Sequence, residues 1–584
     1  MNSIWTRRAW LTRHVQTAVA LVAIPRKPVG SHVGRSWVDP GIGLSGHARD
    51  VVPTAVRLAA QAERLDPGPL QALALQAVEA ARAAGAQYAD ARLTRVVYQD
   101  YNMGGNGRFE WDTDEVGVGV RVLVHGYWGF AASPFWEPDE VVRLARDAVA
   151  QATENAKGTP RAVDLGHSSM VIGTWATPIR IDPFAIPIEE KLDTIIYWKA
   201  CAAQAGLFYQ MDGATSRLEF ARQERVVATS EGALFTQTLY ESGGKISVYD
   251  PRYTSDRVVA SLGFGGNGPT VNVHGLDLAG KGWELFLDAQ IPEQFPRLKA
   301  EIAQMANAGA KPSTIGRYTL VCDGATMASV VESTLGVATQ LDRALGYEAD
   351  AGGTSFLDDP LAMVGHLAVA APLVTLKANR SAPAQLATVQ WDDEGVVPEP
   401  FTLVKDGVLT DFQTTREQAA WLAPYYHRQG EPVHSHGCAA AQDAHWITMQ
   451  HMPNLSLEPS PSPIRLEDLV ADVTDGLLIV RGETDQVDFQ AKNGLLYGDM
   501  REIKNGQLGR HVTGGAVLFN TMDLWKHVTA VGGRPTQALR GTSQYAIDGG
   551  GDPKGQPPQQ TSHSVQAVAA AISNQPLIDP RRKA

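Results

Sequence analysis

His434, His436 and Cys438 alternate along the chain. On a β-strand alternate side chains share a face, so two imidazoles and a thiolate would stand together in a set that zinc or copper accepts. The same spacing suits packed positions in a sheet, and that plainer reading is preferred. His366, His427, His445 and His451 are scattered and read as ordinary polar residues. A serine hydrolase would need its nucleophile at a sharp strand-to-helix turn of GxSxG type, and no stretch offers that context. The run Leu262-Gly263-Phe264-Gly265-Gly266-Asn267-Gly268 lacks the Lys-Ser/Thr ending of a phosphate-binding loop and reads as a turn. Tyr127, Trp128 and Trp136 sit beside a tight turn, where aromatic rings usually serve as buried anchors.

The elements that must position such residues follow from periodicity. Leu70, Leu73, Ala74, Ala77, Val78 and Ala81 recur at helical spacing, with Gly85 where a helix should stop. Strands are expected over Tyr88–Val97 and Val116–Val124, with a glycine-rich bend at Gly104-Gly105-Asn106-Gly107 between them. His125-Gly126 is a tight turn, and Val141, Leu144, Ala145, Ala148 and Val149 mark a second helix over Pro138–Ala152. Further on, Leu218–Ala228 and Leu234–Tyr240 read as strands and Pro292–Ala306 as a helix. Beyond Lys311-Pro312-Ser313 short β-rich segments recur, with Asp406-Gly407, Asp475-Gly476 and Asn505-Gly506 as hairpin turns. After about Gly532 the composition turns to Gly, Gln, Pro and Ser, a loop-like tail with one Ala-rich patch at Val565–Ile572.

Length and composition bound the rest. With 584 residues the chain exceeds one hydrophobic core and divides into several domain-sized units. Hydrophobic residues at 44% and charged residues at 20% are ordinary globular usage. A net charge of -12 repels phosphate backbones, so a nucleic-acid role is excluded unless a basic patch exists, and none stands out. Cys201, Cys322 and Cys438 lie far apart and form neither a disulfide framework nor a CxxC knuckle. No apolar run is long enough to span a bilayer. Near the start Arg7, Arg8 and Arg13 precede the apolar stretch Thr17–Ile24, and Thr6-Arg7-Arg8-Ala9-Trp10-Leu11 reads like a twin-arginine export signal. A disordered basic leader, or an organelle transit peptide, is the alternative, so the protein is expected either in the cytoplasm or exported.

Several blocks together resemble the TldD/PmbA family of peptide-processing metallopeptidases. In the first part these are Tyr88-Ala89-Asp90-Ala91-Arg92, Gly117-Val118-Gly119-Val120-Arg121-Val122-Leu123 and Trp128-Gly129-Phe130-Ala131. In the second part they are Leu341-Asp342-Arg343-Ala344-Leu345-Gly346-Tyr347-Glu348, Gly353-Thr354-Ser355-Phe356, Gln413-Thr414-Thr415-Arg416-Glu417, Ser435-His436-Gly437-Cys438 and Met452-Pro453-Asn454-Leu455-Ser456-Leu457-Glu458-Pro459. The resemblance implies an α+β fold, with an α/β N-terminal region followed by a large curved, mainly antiparallel β-sheet domain. It also implies assembly as a homo- or heterodimer with a paralogue, around a chamber that takes unfolded peptide. The expected division is a leader at 1–30, a linker at 31–67, an N-terminal domain at 68–162, a middle domain at 163–312, a C-terminal domain at 313–545 and a tail at 546–584.

Active relatives carry HExxGH before the Leu341 block, and a cysteine near the C-terminus supplies a third zinc ligand. Here Glu332 and Val337 stand where the histidines would be, Ser333 replaces the glutamate and Asp552 replaces the cysteine. Catalytic zinc needs three donor side chains and an open position, and valine offers no donor. A serine hydroxyl is no base for a metal-bound water near neutral pH. No metal cofactor is therefore expected, although the family uses zinc. For Glu332 and Asp552 to hold a hard cation jointly, the helix between positions 332 and 337 must be distorted, because five residues span about 140° of a regular helix. Three functions follow in order of preference: a non-catalytic peptide-binding subunit, a metallopeptidase with a rebuilt site, and an exported binding or scaffold protein.

Overall fold

The computed structural model describes residues 63–104, 107–157, 163, 165–166, 170–209, 216–253, 270–545, 553–555 and 557–580. The expected leader, most of the linker, the glycine run 262–268 and Asp552 lie outside the described residues.

The first helix, α1 (Pro67–Ala83), starts with a proline in its first turn and with the Asp66 carboxylate accepting from the Gly68 N–H. Both features suit a helix start, where N–H groups lack partners. Long strands β1 (Tyr88–Gly104) and β2 (Gly107–Val124) form an antiparallel hairpin, followed by β3 (Tyr127–Ser133) and helix α2 (Pro138–Asn155). After β4 (Ile172–Ala176), α3 (Ile188–Gln204) and β5 (Phe208–Tyr209) come β6 (Ser216–Thr229), β7 (Leu234–Tyr249), β8 (Thr270–Asn272) and α4 (Ile291–Ala308). The sheet order is β3-β2-β1-β6-β7-β4, with β5 and β8 also paired to β7. One sheet therefore runs across the boundary expected at 162/163, because β6 pairs with β1 from Asp90↔Thr229 to Asn102↔Arg217.

The two-residue period of β1 divides its side chains. Ala89, Ala91 and Leu93 share one core with α1 and α2, while Val97 and Tyr101 share another with α3 and α4. Asp90, Arg92 and Thr94 point the other way, toward the C-terminal half. There the Arg92 Nη1 donates to Asp393 Oδ2 at 2.7 Å and Arg225 Nη1 to Asp393 Oδ1 at 2.9 Å. Arg121 bridges Asp90 at 2.7 Å and Glu394 at 3.1 Å. Burial opposes the charge on Asp393, but the guanidinium groups of Arg225, Arg92 and Arg380 outweigh it and hold the carboxyl below its usual range. The charged residues of the first family blocks thus clamp the two halves together.

The glycines of β2 serve the same junction. The Ala444 carbonyl seats on Gly119, where any Cβ would overlap that oxygen, and the His445 ring seats on Gly117. A Gly119→Ala variant is therefore expected to lose about 1–3 kcal/mol of stability, as other small-to-large changes at packed sites do. A urea midpoint equal to that of the wild type would show that the loop around Ala444 yields freely.

The C-terminal half holds two more large sheets. One contains β9 (Ala310–Pro312), β10 (Gly316–Cys322) and the strands Asp475–Asp485, Asn493–Lys504, Gln507–Thr513, Ala516–Asn520 and Ala570–Ile578, with Val528–Val531 on one edge. The other contains Leu376–Ala378, Phe401–Lys405, Val408–Leu409, Leu455–Leu457, Ala538–Thr542 and His563–Ala567. Most pairings are antiparallel, so the α+β expectation holds. Leu320, Val331, Leu455, Phe519, Val565 and Ile572 belong to the one large core of this half. Helix α5 (Gly324–Val331) packs against Asp475–Asp485 of one sheet and against Ala538–Thr542 and His563–Ala567 of the other.

His125-Gly126, Asp406-Gly407 and Asn505-Gly506 each have two successive positive φ angles, as a type I′ hairpin turn demands. Asp475-Gly476 differs. It opens a strand, with Asp475 opposite Lys504, because its flanking sequence pairs across to Asn493–Lys504 rather than folding back locally. The stretch expected as a tail also differs: His563–Ala567 and Ala570–Ile578 are interior strands. Small residues there allow close packing, and they carry little β-propensity of their own. Among the described residues no helix is long and apolar enough to cross a membrane.

Candidate functional site at a distorted helix turn

Helix α5 begins at Asp323, whose carboxylate accepts from the Thr326 N–H at 2.8 Å. It runs straight into a π-helical turn, Glu332–Gly336, in which the Val337 N–H reaches back five residues to the Glu332 carbonyl. This is the distortion that convergence of positions 332 and 337 requires, and it stacks them one wide turn apart. Side chains stabilise the irregular backbone. Ser333 and Thr339 hydroxyls donate to Ser329 and Leu335 carbonyls at 2.8 and 2.7 Å, and Thr334 does the same to Val330. Gln413 Nε2 donates to the Gly336 carbonyl at 2.6 Å. Gly336 itself is tightly enclosed: a Cβ there would lie 2.8 Å from Leu455 Cδ1 and 2.9 Å from the Val331 carbonyl oxygen.

Glu332 is buried, and its carboxylate is fully engaged. Oε1 accepts from Thr542 Oγ1 and contacts His563 Nε2, both at 2.9 Å, while Oε2 lies 3.2 Å from Arg540 Nε. Arg540 also donates to both oxygens of Glu483 at 2.6 Å. Burial alone would raise the Glu332 carboxyl, but the hydrogen bond and charge of His563 with the Arg540 guanidinium bring it down to about 2. A carboxylate whose folded value is depressed stabilises the fold above its unfolded value of 4.5, and that contribution is lost as the pH falls toward about 2. Glu332→Gln is accordingly expected to cost about 2–3 kcal/mol at pH 7. The gap to the wild type should narrow once the pH drops below 4.5. Urea midpoints across that range test this; a gap independent of pH would mean that the loss comes from packing instead of charge.

Three further family blocks meet the turn or the residues just after it, through Gln413, Leu455 and Ser355. Ser355 Oγ donates to the Ala338 carbonyl at 2.7 Å. The loop carrying the third family position is held by Lys554, a lysine with no exposed surface, whose Nζ donates to Asp342, to the Gln450 carbonyl at 2.7 Å and to Gln450 Oε1 at 2.8 Å. The next residue, Gly555, donates its N–H to Glu348 Oε2 at 2.8 Å and has a φ of +77°, which favours glycine. Lys554 and Gly555 thus tie the loop to the helical segment that follows the turn, through Asp342 and Glu348 of the Leu341 block.

The donor set at the turn does not fit zinc. Val337 packs against the large core and Ser333 spends its hydroxyl on a backbone carbonyl. Glu332 already faces a guanidinium, whose positive charge opposes a cation there. Arg540, His563 and Thr542, which complete this arrangement, were not legible as site residues, since alternation places them on strands without naming their partner.

His434 and His436 meet edge to face with ring centroids 4.9 Å apart, but with Cys438 they do not form a three-residue ligand set. The segment 432–438 forms no strand; pairing begins only at Ala439–Ala440. His434 is exposed and bonds the Pro432 carbonyl at 2.8 Å. His436 is buried, stacked on Phe401 at 3.8 Å between centroids, and contacts Asp411 Oδ2 at 2.9 Å. Cys438 is buried with its Sγ 4.0 Å from the His436 carbonyl oxygen, and burial pushes its thiol up to about 12, away from the thiolate a metal needs. Among the described residues no three His, Cys, Asp or Glu side chains are grouped so as to hold one ion. His366, His427, His445 and His451 do not join any such group either.

Residues 315–557 match the model of the PmbA/TldA metallopeptidase C-terminal domain, and residues 106–152 match that of PmbA/TldA metallopeptidase domain 1. A metalloprotease of Methanothermobacter thermautotrophicus is 22% identical over 71% of this chain and 81% of its own length. A metalloprotease of Methanocaldococcus jannaschii is 21% identical over 71% of this chain and 82% of its own. The fold is similar to that of a Thermotoga maritima protein described as a modulator of DNA gyrase, with a TM-score of 0.61 and 14% identity over 87% of this chain and all of that one. TldE from Thermococcus kodakarensis gives a TM-score of 0.57 at 14% identity, again over 87% of this chain and all of that one. With both domain models matched in order, the chain belongs to the PmbA/TldD metallopeptidase family.

Proposed function

We propose that this protein is a non-catalytic, peptide-binding subunit of the PmbA/TldD type, working in a dimer with a like or unlike member of the family. The observation that carries this reading is the engagement of Glu332 by Arg540 and His563 on an otherwise family-like turn. The Arg540 guanidinium and the His563 imidazole take up the Glu332 carboxylate, and neither Ser333 nor Val337 offers a base or a donor. Binding of extended peptide needs no metal, since main-chain hydrogen bonds to a sheet edge provide affinity.

The competing reading is a peptidase with a rebuilt metal site. Its starting point would be Glu332 with His563, an imidazole and a carboxylate already in contact at 2.9 Å. The two readings separate in one experiment: elemental analysis of the purified chain, with binding and cleavage of an unfolded peptide followed with and without chelator. Binding without metal and without chelator-sensitive cleavage is the expected result. Stoichiometric metal lost together with cleavage in Glu332→Ala would overturn the proposal.

A further inference from the structure

The outer face of the first sheet does not end at its junction with the C-terminal half. Beyond Thr94 the side chains of β1 and β2 on that face are Val96 and Tyr98 opposite Glu115 and Thr113, with Trp111 next along β2. A cavity of about 200 Å³ opens over them, and its far wall is Gln442, Asp443, His445 and Tyr545. Tyr545 stacks on Tyr98 with ring centroids 5.7 Å apart. Trp111 is 49% exposed. The cavity is thus walled by three aromatic rings.

Among the described residues no lysine or arginine lines it, and its ionisable groups are the carboxylates of Asp443 and Glu115 and the His445 imidazole, whose pKa the hydrogen bond to Asp443 raises. Asp443 is already occupied, accepting from the His445 N–H and contacting His445 Nδ1 at 3.1 Å. Glu115 is exposed and makes no ion pair among the described residues, so its carboxylate is the net charge left facing the space. Aromatic faces with a nearby carboxylate attract an ammonium or guanidinium group and disfavour an anion.

Its position links it to the turn. Thr542 hydrogen-bonds Glu332, Ser543 Oγ donates to Glu241 Oε2 at 2.7 Å on β7, and Tyr545 follows two residues later in the cavity wall. One short segment therefore runs from the altered family site across the sheet to the cavity. The loop forming the far wall is rigidly held, since Arg92 Nη2 donates to the Asp443 and Trp446 carbonyls at 3.2 and 2.6 Å and the Ala444 N–H donates to Thr94 Oγ1 at 3.0 Å.

We infer that this cavity is a side-chain subsite for a lysine or arginine of a bound peptide, received by Trp111, Tyr98 and Tyr545 with Glu115 as its counter-charge. The inference rests on the peptide-binding reading and gives it a substrate class: unfolded segments carrying a basic residue. The test is fluorescence anisotropy on the full chain with three labelled unstructured peptides of equal length, differing only in one central lysine, norleucine or glutamate. The lysine peptide is expected to bind about tenfold more tightly than the norleucine peptide, and the glutamate peptide most weakly. In Glu115→Gln the lysine preference over norleucine should disappear, and in Trp111→Ala binding of the lysine peptide should weaken more than that of the norleucine peptide. Peptides that bind equally well, or variants that weaken all three alike, would overturn the subsite and leave the peptide-binding reading standing. No binding of any peptide would overturn both. Far-ultraviolet circular dichroism of the variants separates loss of the site from loss of the fold.

Discussion

Replacing Lys554 by methionine is expected to lower stability by about 3–5 kcal/mol, among the largest losses that a single substitution in this chain should cause. Lys554 has no exposed surface, and its Nζ makes its hydrogen bonds to Asp342 and to two oxygens of Gln450. Methionine fills nearly the same volume, so the loss isolates charge from packing. Asp342 would then remain buried as an uncompensated carboxylate, and a charge without a partner in the interior costs far more than the pair contributes. A second variant, Lys554→Met with Asp342→Asn, should recover part of the loss, because the carboxylate is removed with its partner. Urea denaturation of the single and double variants gives the coupling directly. If the double variant were as unstable as the sum of its parts, the pair would not be the tie between the loop at 553–555 and the helical segment after the π-turn.

The second large effect is a gain. A variant carrying Glu332→His, Ser333→Glu, Val337→His and Asp552→Cys is expected to take up zinc at about one ion per chain, the stoichiometry of a single three-ligand set with one open position. The backbone already has the π-turn that stacks positions 332 and 337. Lys554 and Gly555 already anchor the loop that follows position 552. Arg540 would lose Glu332 but would keep both oxygens of Glu483, so its charge would not be orphaned. Elemental analysis and a circular dichroism spectrum check the outcome. A folded variant that binds no zinc would show that the loss of the site extends beyond its ligands, for instance to the charge of Arg540 beside it.

The helices and hairpins of the N-terminal region were legible for a physical reason. Leu70, Ala74, Ala77, Val78 and Ala81 must recur at helical spacing to bury one face, and His125-Gly126 must adopt two positive φ angles to close its hairpin. Ala570–Ile578 was not legible, since its alanines and serine carry no strand signal until neighbouring strands press on both sides. Nor was the strand fate of Asp475-Gly476, which depends on a partner twenty-nine residues away at Lys504.

At the altered site the division is the same. Residue types alone determined that positions 333 and 337 hold neither base nor donor, because chemistry of that kind belongs to the side chain itself. The family blocks likewise determined the fold class, since each is a local pattern. Only the tertiary structure decided what became of the charge at Glu332, for its partners Arg540, Thr542 and His563 lie more than two hundred residues away in sequence. It also decided that His434 and His436 meet without completing a ligand set with Cys438, and that Lys554 is a buried counter-ion. An ion pair is a property of two positions in space, and nothing in the spacing of either residue along the chain records its partner.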